Sequence, residues 1–263
     1  DEISDESRSS VFGASWKDFL RMQLSSDLQS RLILLKGDAE VRQMDQSFGL
    51  TGQSIAMRVR LPVQTDSKQQ DTDDSIVAEE SIIPADLTAL KPELLTATGN
   101  VVLTSPDGTG RLREKLTVRF EEMPPAPATT DATQSDKGLL RTVSNSRSAT
   151  KDADSSSEMS FVSDTLDAII RISSDPENRQ IQFHNLWLNG NVEIVRQSGS
   201  PEDSFTAVGN QLYAATGLQN ERDIQLFGDP ARLKRASGTL EGPRIDLKEI
   251  DGKAEVVGSG RIR

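Results

Sequence analysis

Residues 188–194 read LNGNVEI, in which apolar side chains alternate with polar ones around a glycine. Successive side chains of a β-strand point to opposite faces, so this order places Leu188, Val192 and Ile194 together on one face. The same alternation recurs in SRLILL, QSIAMRVRL, KLTVRF and RIDLKEI, with Gly, Asn and Asp between the runs. Short alternating runs separated by turn residues predict an antiparallel all-β architecture.

The glycines of these runs belong to an internal repeat. The pattern apolar-x-Gly-x-small/apolar-x-apolar occurs as Leu35-x-Gly37-x-Ala39-x-Val41, Ala97-x-Gly99-x-Val101-x-Leu103 and Leu188-x-Gly190-x-Val192-x-Ile194, and more weakly around Gly228 and Gly258. A second motif, apolar-x-Gly-x-x-Ile/Leu, surrounds Gly52, Gly209 and Gly242, whereas Arg113 takes the glycine slot before Leu116. The glycines follow one another at 14 to 19 residues, except across two polar stretches.

The repeat predicts stacked β-hairpins that form two facing antiparallel sheets. One hairpin cannot bury its apolar face alone, so copies must stack. A glycine at a fixed inward place permits a bulge, a bend or a close approach in every strand at the same level. The repeat glycines are Gly37, Gly52, Gly99, Gly190, Gly209, Gly228, Gly242 and Gly258. We expect a single domain over residues 30–263.

Three segments depart from the strand pattern. Residues 62–93 and 121–160 are rich in Ser, Thr, Asp, Pro and Gln, which predicts long polar insertions, either loops or segments that order on a partner. Residues 1–29 form an N-terminal arm. Within it, WKDFLRMQLSSDL (16–28) places Trp16, Phe19, Leu20 and Leu24 at helical spacing, so we expect a short helix, with an irregular first strand as the alternative.

Composition argues against several functional classes. The chain of 263 residues has no cysteine and a net charge of −11, which disfavours thiolate chemistry, Cys-based zinc sites and nucleic-acid binding. His184 is the single histidine and has no partners for a metal site or a catalytic triad, while Asp71, Asp73 and Asp74 lack the spacing of a calcium loop. We therefore expect no enzyme activity, no cofactor and no metal. No apolar run is long enough to span a bilayer.

The C-terminal stretch resembles a known family. It contains Ala207-x-Gly209-x-x-Leu212-Tyr213, then Ile224-x-Leu226-x-Gly228-x-Pro230, then Leu240-x-Gly242-x-x-Ile245-x-Leu247, and it closes on Gly258-x-Gly260. This order is similar to the OstA-like repeat of the LptA–LptC family of lipopolysaccharide-transport β-jellyrolls. The match covers residues 185–263 well and residues 30–61 and 95–120 moderately, and it fails in the two insertions.

The resemblance implies a β-jellyroll open along one seam, with an apolar groove that shields lipid acyl chains. It implies a periplasmic, Gram-negative-type envelope location, with the targeting segment outside this chain. The implied partners are lipopolysaccharide or another acylated lipid, and further OstA-like domains that pair edge to edge, in particular with the strands near 253–262. No nucleic-acid partner is expected.

The alternation itself defines the inward face that would line such a groove. Its predicted members are Leu35, Ala39, Val41, Ile55, Met57, Val59, Val101, Leu103, Leu116, Val118, Phe120, Leu188, Val192, Ile194, Leu212, Leu226, Ile245 and Leu247. Alternating apolar faces also form ordinary self-packed cores, so a structural β-repeat spacer without lipid is the alternative function. A carbohydrate-binding jellyroll is less favoured, because aromatic residues make up only 4 % of the chain.

Overall fold

The protein is built from β-strands throughout the part that the computed structural model describes, which is residues 12–24, 29–43, 48–61, 91–123, 158–173, 181–216, 222–248 and 253–262. Its strands are β1 (Phe12–Ser15), β2 (Phe19–Leu24), β3 (Ser30–Gln43), β4 (Gly49–Arg60), β5 (Lys91–Thr98), β6 (Val101–Ser105), β7 (Gly108–Glu122), β8 (Glu158–Ile172), β9 (Ile181–Gln197), β10 (Phe205–Thr216), β11 (Arg222–Arg235), β12 (Gly238–Lys248), β13 (Lys253–Val257) and β14 (Arg261–Ile262). The described residues contain no helix that could cross a membrane.

The strands join into one 14-stranded sheet with the order β1-β3-β4-β5-β7-β8-β9-β10-β11-β12-β13. Three short strands extend this path: β2 pairs with β3, β6 pairs with β4 and β7, and β14 pairs with β12. Within the described ranges the first and last strands pair only with their inner neighbours, so the sheet is open. The predicted all-β, jellyroll-like fold is confirmed.

A line of irregular residues, here called the bend line, crosses the sheet at one level. The pairing of β3 with β4 shifts between Lys36 and Ala39, and the pairing of β10 with β9 shifts between Gly209 and Gln211. Both edges are broken at this level, between β1 and β2 and between β13 and β14. Because a bulge bends and twists its strand, bulges at the same level in neighbouring strands divide the sheet into two leaves.

The two leaves enclose one hydrophobic core. Residues on both sides of the bend line belong to the same cluster, such as Leu35 with Ala39 on β3 and Leu188 with Val192 on β9. Ala39, Val192 and Ile245 are fully buried although they project from a single sheet. A face of one sheet can be buried to this extent only if another layer covers it, so the leaves cover each other.

One strand pairing differs from the predicted antiparallel arrangement. Strand β7 pairs with β8 in parallel, from Gly108 opposite Met159 to Glu122 opposite Ile172. The hairpin pattern of the sequence repeat could not show this junction, because residues 123–157 connect the end of β7 to the start of β8. Parallel neighbours need such a long connection, whereas antiparallel ones can be joined by a tight turn.

The N-terminal arm also differs from the prediction. The helix expected within residues 16–28 is wrong where the structure describes it, because Phe19–Leu24 is a strand that pairs antiparallel with β3. The irregular-strand alternative agrees with the structure. The free edge of β3 offers hydrogen-bond partners to the whole segment, and this pairing overrides the helical spacing of its apolar residues.

Strand residues also reach into the margins of both predicted insertions. Strand β5 begins at Lys91, β7 ends at Glu122 and β8 begins at Glu158. Residues 62–90 and 124–157, the bulk of the two insertions, lie outside the described residues.

Candidate functional site

The residues predicted to face inward lie on one face of the sheet, here called the inner face. Except for Met57 and Val59, each of the 18 predicted residues belongs to the hydrophobic cluster or packs against it. Val59 is also buried, and Met57 is partly buried near the end of β4. On the strands that the predicted set covers, the alternation of the sequence therefore identifies which face turns inward. Whether this face holds a lipid is a separate question.

On several strands, burial on the inner face falls with distance from the bend line, although Val59 and Thr216 near their strand ends remain buried. On β12, Ile245 is fully buried, whereas Leu247, one inward position farther from the bend, is only partly buried. On β9, Val192 is fully buried and Ile194 is partly buried. The same change separates Leu226 from Ile224 on β11. The leaves thus enclose a trough that is closed at the bend and opens toward the strand ends, here called the mouth.

Several inner-face residues were missed by the sequence analysis. The described residues add to the buried cluster Leu50, Ala97, Leu112, Leu166, Ala168, Ala207, Ala231 and Leu233. The partly buried additions are Leu95, Phe161, Ile170, Leu186, Phe205, Ala214, Ile224, Leu240, Ala254 and Val256. The alternation in SDTLDAII (163–170) is a usable signal for β8, but this strand follows a polar insertion and carries no repeat glycine.

The N-terminal edge extends the apolar face beyond the core. Leu20, Met22 and Leu24 of β2 lie opposite Leu35, Ile33 and Arg31 of β3. Their exposed fractions are 42 %, 49 % and 45 %. Alternate apolar side chains on an unpaired edge strand mark a surface suited to an apolar ligand or to strand addition.

The repeat glycines fall into two structural classes. In the first class, Gly37, Gly99, Gly190 and Gly258 have φ angles of 74° to 96° on the bend line, a conformation that only glycine adopts without strain. In the second class, a Cβ added to the glycine would contact a neighbouring strand. Gly52 faces the Thr98 carbonyl, Gly209 faces the Phe227 carbonyl and Gly242 faces the Val256 side chain. Gly228 belongs to neither class in full, since it precedes the cis peptide Asp229–Pro230.

Charged side chains form hydrogen bonds and ion pairs along the bend line. Lys17 Nζ donates a hydrogen bond to Asp38 Oδ2 over 2.6 Å, and this bond, followed by the charge of Asp38, raises the pKa of Lys17. In place of a glycine, Arg113 forms an ion pair with Asp164 at 3.3 Å. At position 113, where the repeat lacks its glycine, a salt bridge thus joins β7 to β8.

A separate cavity of about 480 Å³ lies at the strand ends of one leaf. Its lining is polar and includes Ser105, Thr109, Glu158, Gln197 and Ser198. It is not part of the apolar inner face. The serines around it bond mainly to one another and to backbone, as when Ser204 Oγ accepts from the Ser198 amide over 3.0 Å.

Catalytic and metal chemistry find little support in the described ranges. They contain no group of three or more His, Cys, Asp or Glu residues placed to hold a metal ion. His184 is a partly buried residue of β9. Asp71, Asp73 and Asp74 lie outside the described residues. Among the described residues, the trough is lined by apolar side chains.

The chain was compared with protein-family models, curated proteins and solved structures. No family model matches it, and neither a curated protein nor a solved structure matches it.

Proposed function

We propose that the protein is a non-enzymatic lipid-binding module of a Gram-negative-type cell envelope, of the OstA-like kind, which shields acyl chains in the trough between its two leaves. The observation that carries the proposal is the graded burial of the inner face. Side chains at the bend are sealed by protein, whereas Ile194, Ile224 and Leu247 near the mouth are not fully covered. An acyl chain that covered them would remove apolar surface from water, at roughly 25 cal/mol per Å².

The apolar lining of the trough matches the acyl chains of lipopolysaccharide or of another acylated envelope lipid. The inner-face side chains near the mouth are mainly aliphatic, with Phe120, Phe161 and Phe205 among them. Acyl chains need apolar contact and no directed hydrogen bonds, and the trough supplies such contact. The proposal includes periplasmic localisation and edge-to-edge assembly with other OstA-like domains, through β2 at one edge and through β13 and β14 at the other.

Binding of a fluorescent fatty acid tests the proposal directly. Dansylaminoundecanoic acid is titrated into the wild type and into Ile194→Asp, which places a charge on the inner face near the mouth. Val195→Asp is the matched control, because Val195 is the next residue and belongs to the opposite face. We expect probe binding by the wild type and the control, and at least a tenfold loss in Ile194→Asp with an unchanged circular dichroism spectrum. Absence of probe binding by the wild type would overturn the proposal.

A structural β-repeat spacer is the second candidate. It is favoured by the sealed part of the core, where Leu112, Leu116, Leu226, Leu233 and Ile245 are almost completely buried against protein. A spacer would be as stable without lipid as with it, and the melting temperature would not respond to the fatty acid. A lipid carrier would gain stability with ligand concentration.

A further inference from the structure

The outer face of the sheet carries an aromatic pair. Trp187 on β9 and Tyr213 on β10 lie directly opposite each other, with ring centroids 5.3 Å apart and ring planes tilted by 35°. Both alternate with core residues, Leu186 and Leu188 on one strand and Leu212 on the other, so both point away from the trough. They are the one tyrosine and one of the two tryptophans in the chain, and both remain partly exposed.

Polar side chains continue this pair into a row across the sheet, here called the ring row. The pairing register aligns, in order from β7 to β13, Thr117, Asp167, Trp187, Tyr213, Gln225, Asp246 and Glu255. The row thus places a carboxylate on one side of the rings and an amide on the other. Strands lie about 4.8 Å apart, so Asp167 and Gln225 are separated by roughly 14 Å.

Two further contacts shape the surface around the rings. The Tyr213 hydroxyl donates to Asn185 Oδ1 over 3.5 Å, which orients one ring. On β12 the Arg244 guanidinium stacks over Phe227 at 5.7 Å from the ring centre and donates from Nε to Asp246 Oδ1 over 2.6 Å. That ion pair neutralises Asp246, one of the three acidic residues of the row.

At the β7 end of the ring row lies a buried hydroxyl. Thr117 is 9 % exposed, and its Oγ1 has no hydrogen-bond partner among the described residues. Its neighbour across the parallel junction is Asp167. Thr96 on β5 lies opposite Thr117, so polar side chains continue at this level beyond the ring row.

We propose that the ring row is a binding site for a neutral oligosaccharide chain. Sugar rings present C–H groups that pack on aromatic faces and hydroxyl groups that bond to carboxylates and amides, and the row offers both kinds of contact side by side. The row contains no lysine or arginine and has three carboxylates, which disfavours phosphorylated or sulfated ligands. Its length suits several sugar units. The chain has few aromatic residues, but strand pairing brings Trp187 and Tyr213 together, and a sugar site needs no more than such a pair.

The site is separate from the trough, so its test does not depend on lipid binding. In a Trp16→Phe background, Trp187 is the sole tryptophan, and its fluorescence reports on the ring row alone. Cellohexaose, chitohexaose and maltohexaose are titrated in turn. We expect at least one of them to change Trp187 emission saturably, with a dissociation constant unaffected by Ile194→Asp in the trough.

Variants of the row assign the binding to this surface. Tyr213→Ala should weaken binding at least tenfold, Gln225→Ala severalfold, and Tyr213→Phe by less than threefold because the stacking face remains. Phe19→Ala removes an exposed aromatic from a remote edge and should change nothing. No saturable emission change with any of the three sugars at millimolar concentration would overturn the proposal, as would equal binding by Gln225→Ala, Tyr213→Ala and the parent protein.

Discussion

Asn191 donates a hydrogen bond from Nδ2 to Oδ2 of Asp164 over 2.9 Å, and this contact joins β9 to β8 on the bend line. The other oxygen of the same carboxylate accepts from Arg113 on β7. Asn191 itself has a φ of 49°, and Gly190 before it has a φ of 76°. The bend of the sheet thus depends on two unusual backbone residues and on one carboxylate that three strands share.

Substitutions of Gly190 and Asn191 should lower the free energy of unfolding by different amounts. A Cβ at position 190 would lie under 3.0 Å from the Asp164 carboxylate and would occupy a strained conformation, so Gly190→Ala should lower the free energy of unfolding by about 2 kcal/mol or more. Asn191→Gly keeps the backbone relaxed and loses one hydrogen bond, so about 1 kcal/mol is expected. Urea denaturation measures both. Equal costs would contradict the account of the bend line.

Graded burial predicts graded stability along a single strand. Ile245→Ala removes a fully buried side chain and should cost about 2–5 kcal/mol. Leu247→Ala removes a partly buried one from the same face of β12 and should cost less than about 2 kcal/mol. Thermal and urea unfolding of the lipid-free protein measure both. A Leu247→Ala cost as large as that of Ile245→Ala would indicate that the trough is closed.

The parallel junction can be tested by an engineered disulfide, since the chain contains no cysteine. Arg119 on β7 lies opposite Ile169 on β8 in the parallel register, so Arg119→Cys with Ile169→Cys should crosslink under mild oxidation. Arg119→Cys with Thr165→Cys should not, because Thr165 lies opposite Lys115. The readout is the loss of free thiol in the intact protein. Efficient crosslinking of the second pair alone would refute this register.

Acid should weaken one exposed contact between strand ends. A 2.8 Å hydrogen bond from Lys91, followed by the lysine's charge, holds the pKa of Glu122 below the ordinary 4.5. A lowered pKa adds stability above the unfolded value, and this is lost as the pH falls through the folded pKa. Lys91→Ala should therefore lower the melting temperature slightly at neutral pH and not at all well below pH 4.5. Lys91→Arg is the control, and a difference that grew in acid would contradict the assignment.

Alternation predicted the inner face well because it follows from strand geometry alone. Leu188, Val192 and Ile194 must share a face once residues 188–194 form a strand. Long-range pairing was harder to predict. Phe19–Leu24 has helical spacing and becomes a strand only because β3 offers a free edge. The parallel partner of β7 lies beyond a long polar segment, and the ring row depends on the register of strands far apart in sequence, which no local pattern encodes.

Retention of lipid is the central claim, and native mass spectrometry of the protein purified from a Gram-negative host tests it most directly. We predict that the wild type and Val195→Asp carry added mass that matches an acylated lipid, and that folded Ile194→Asp does not. A wild-type protein at its bare mass, unchanged after incubation with lipopolysaccharide, would contradict the account and would favour the structural spacer.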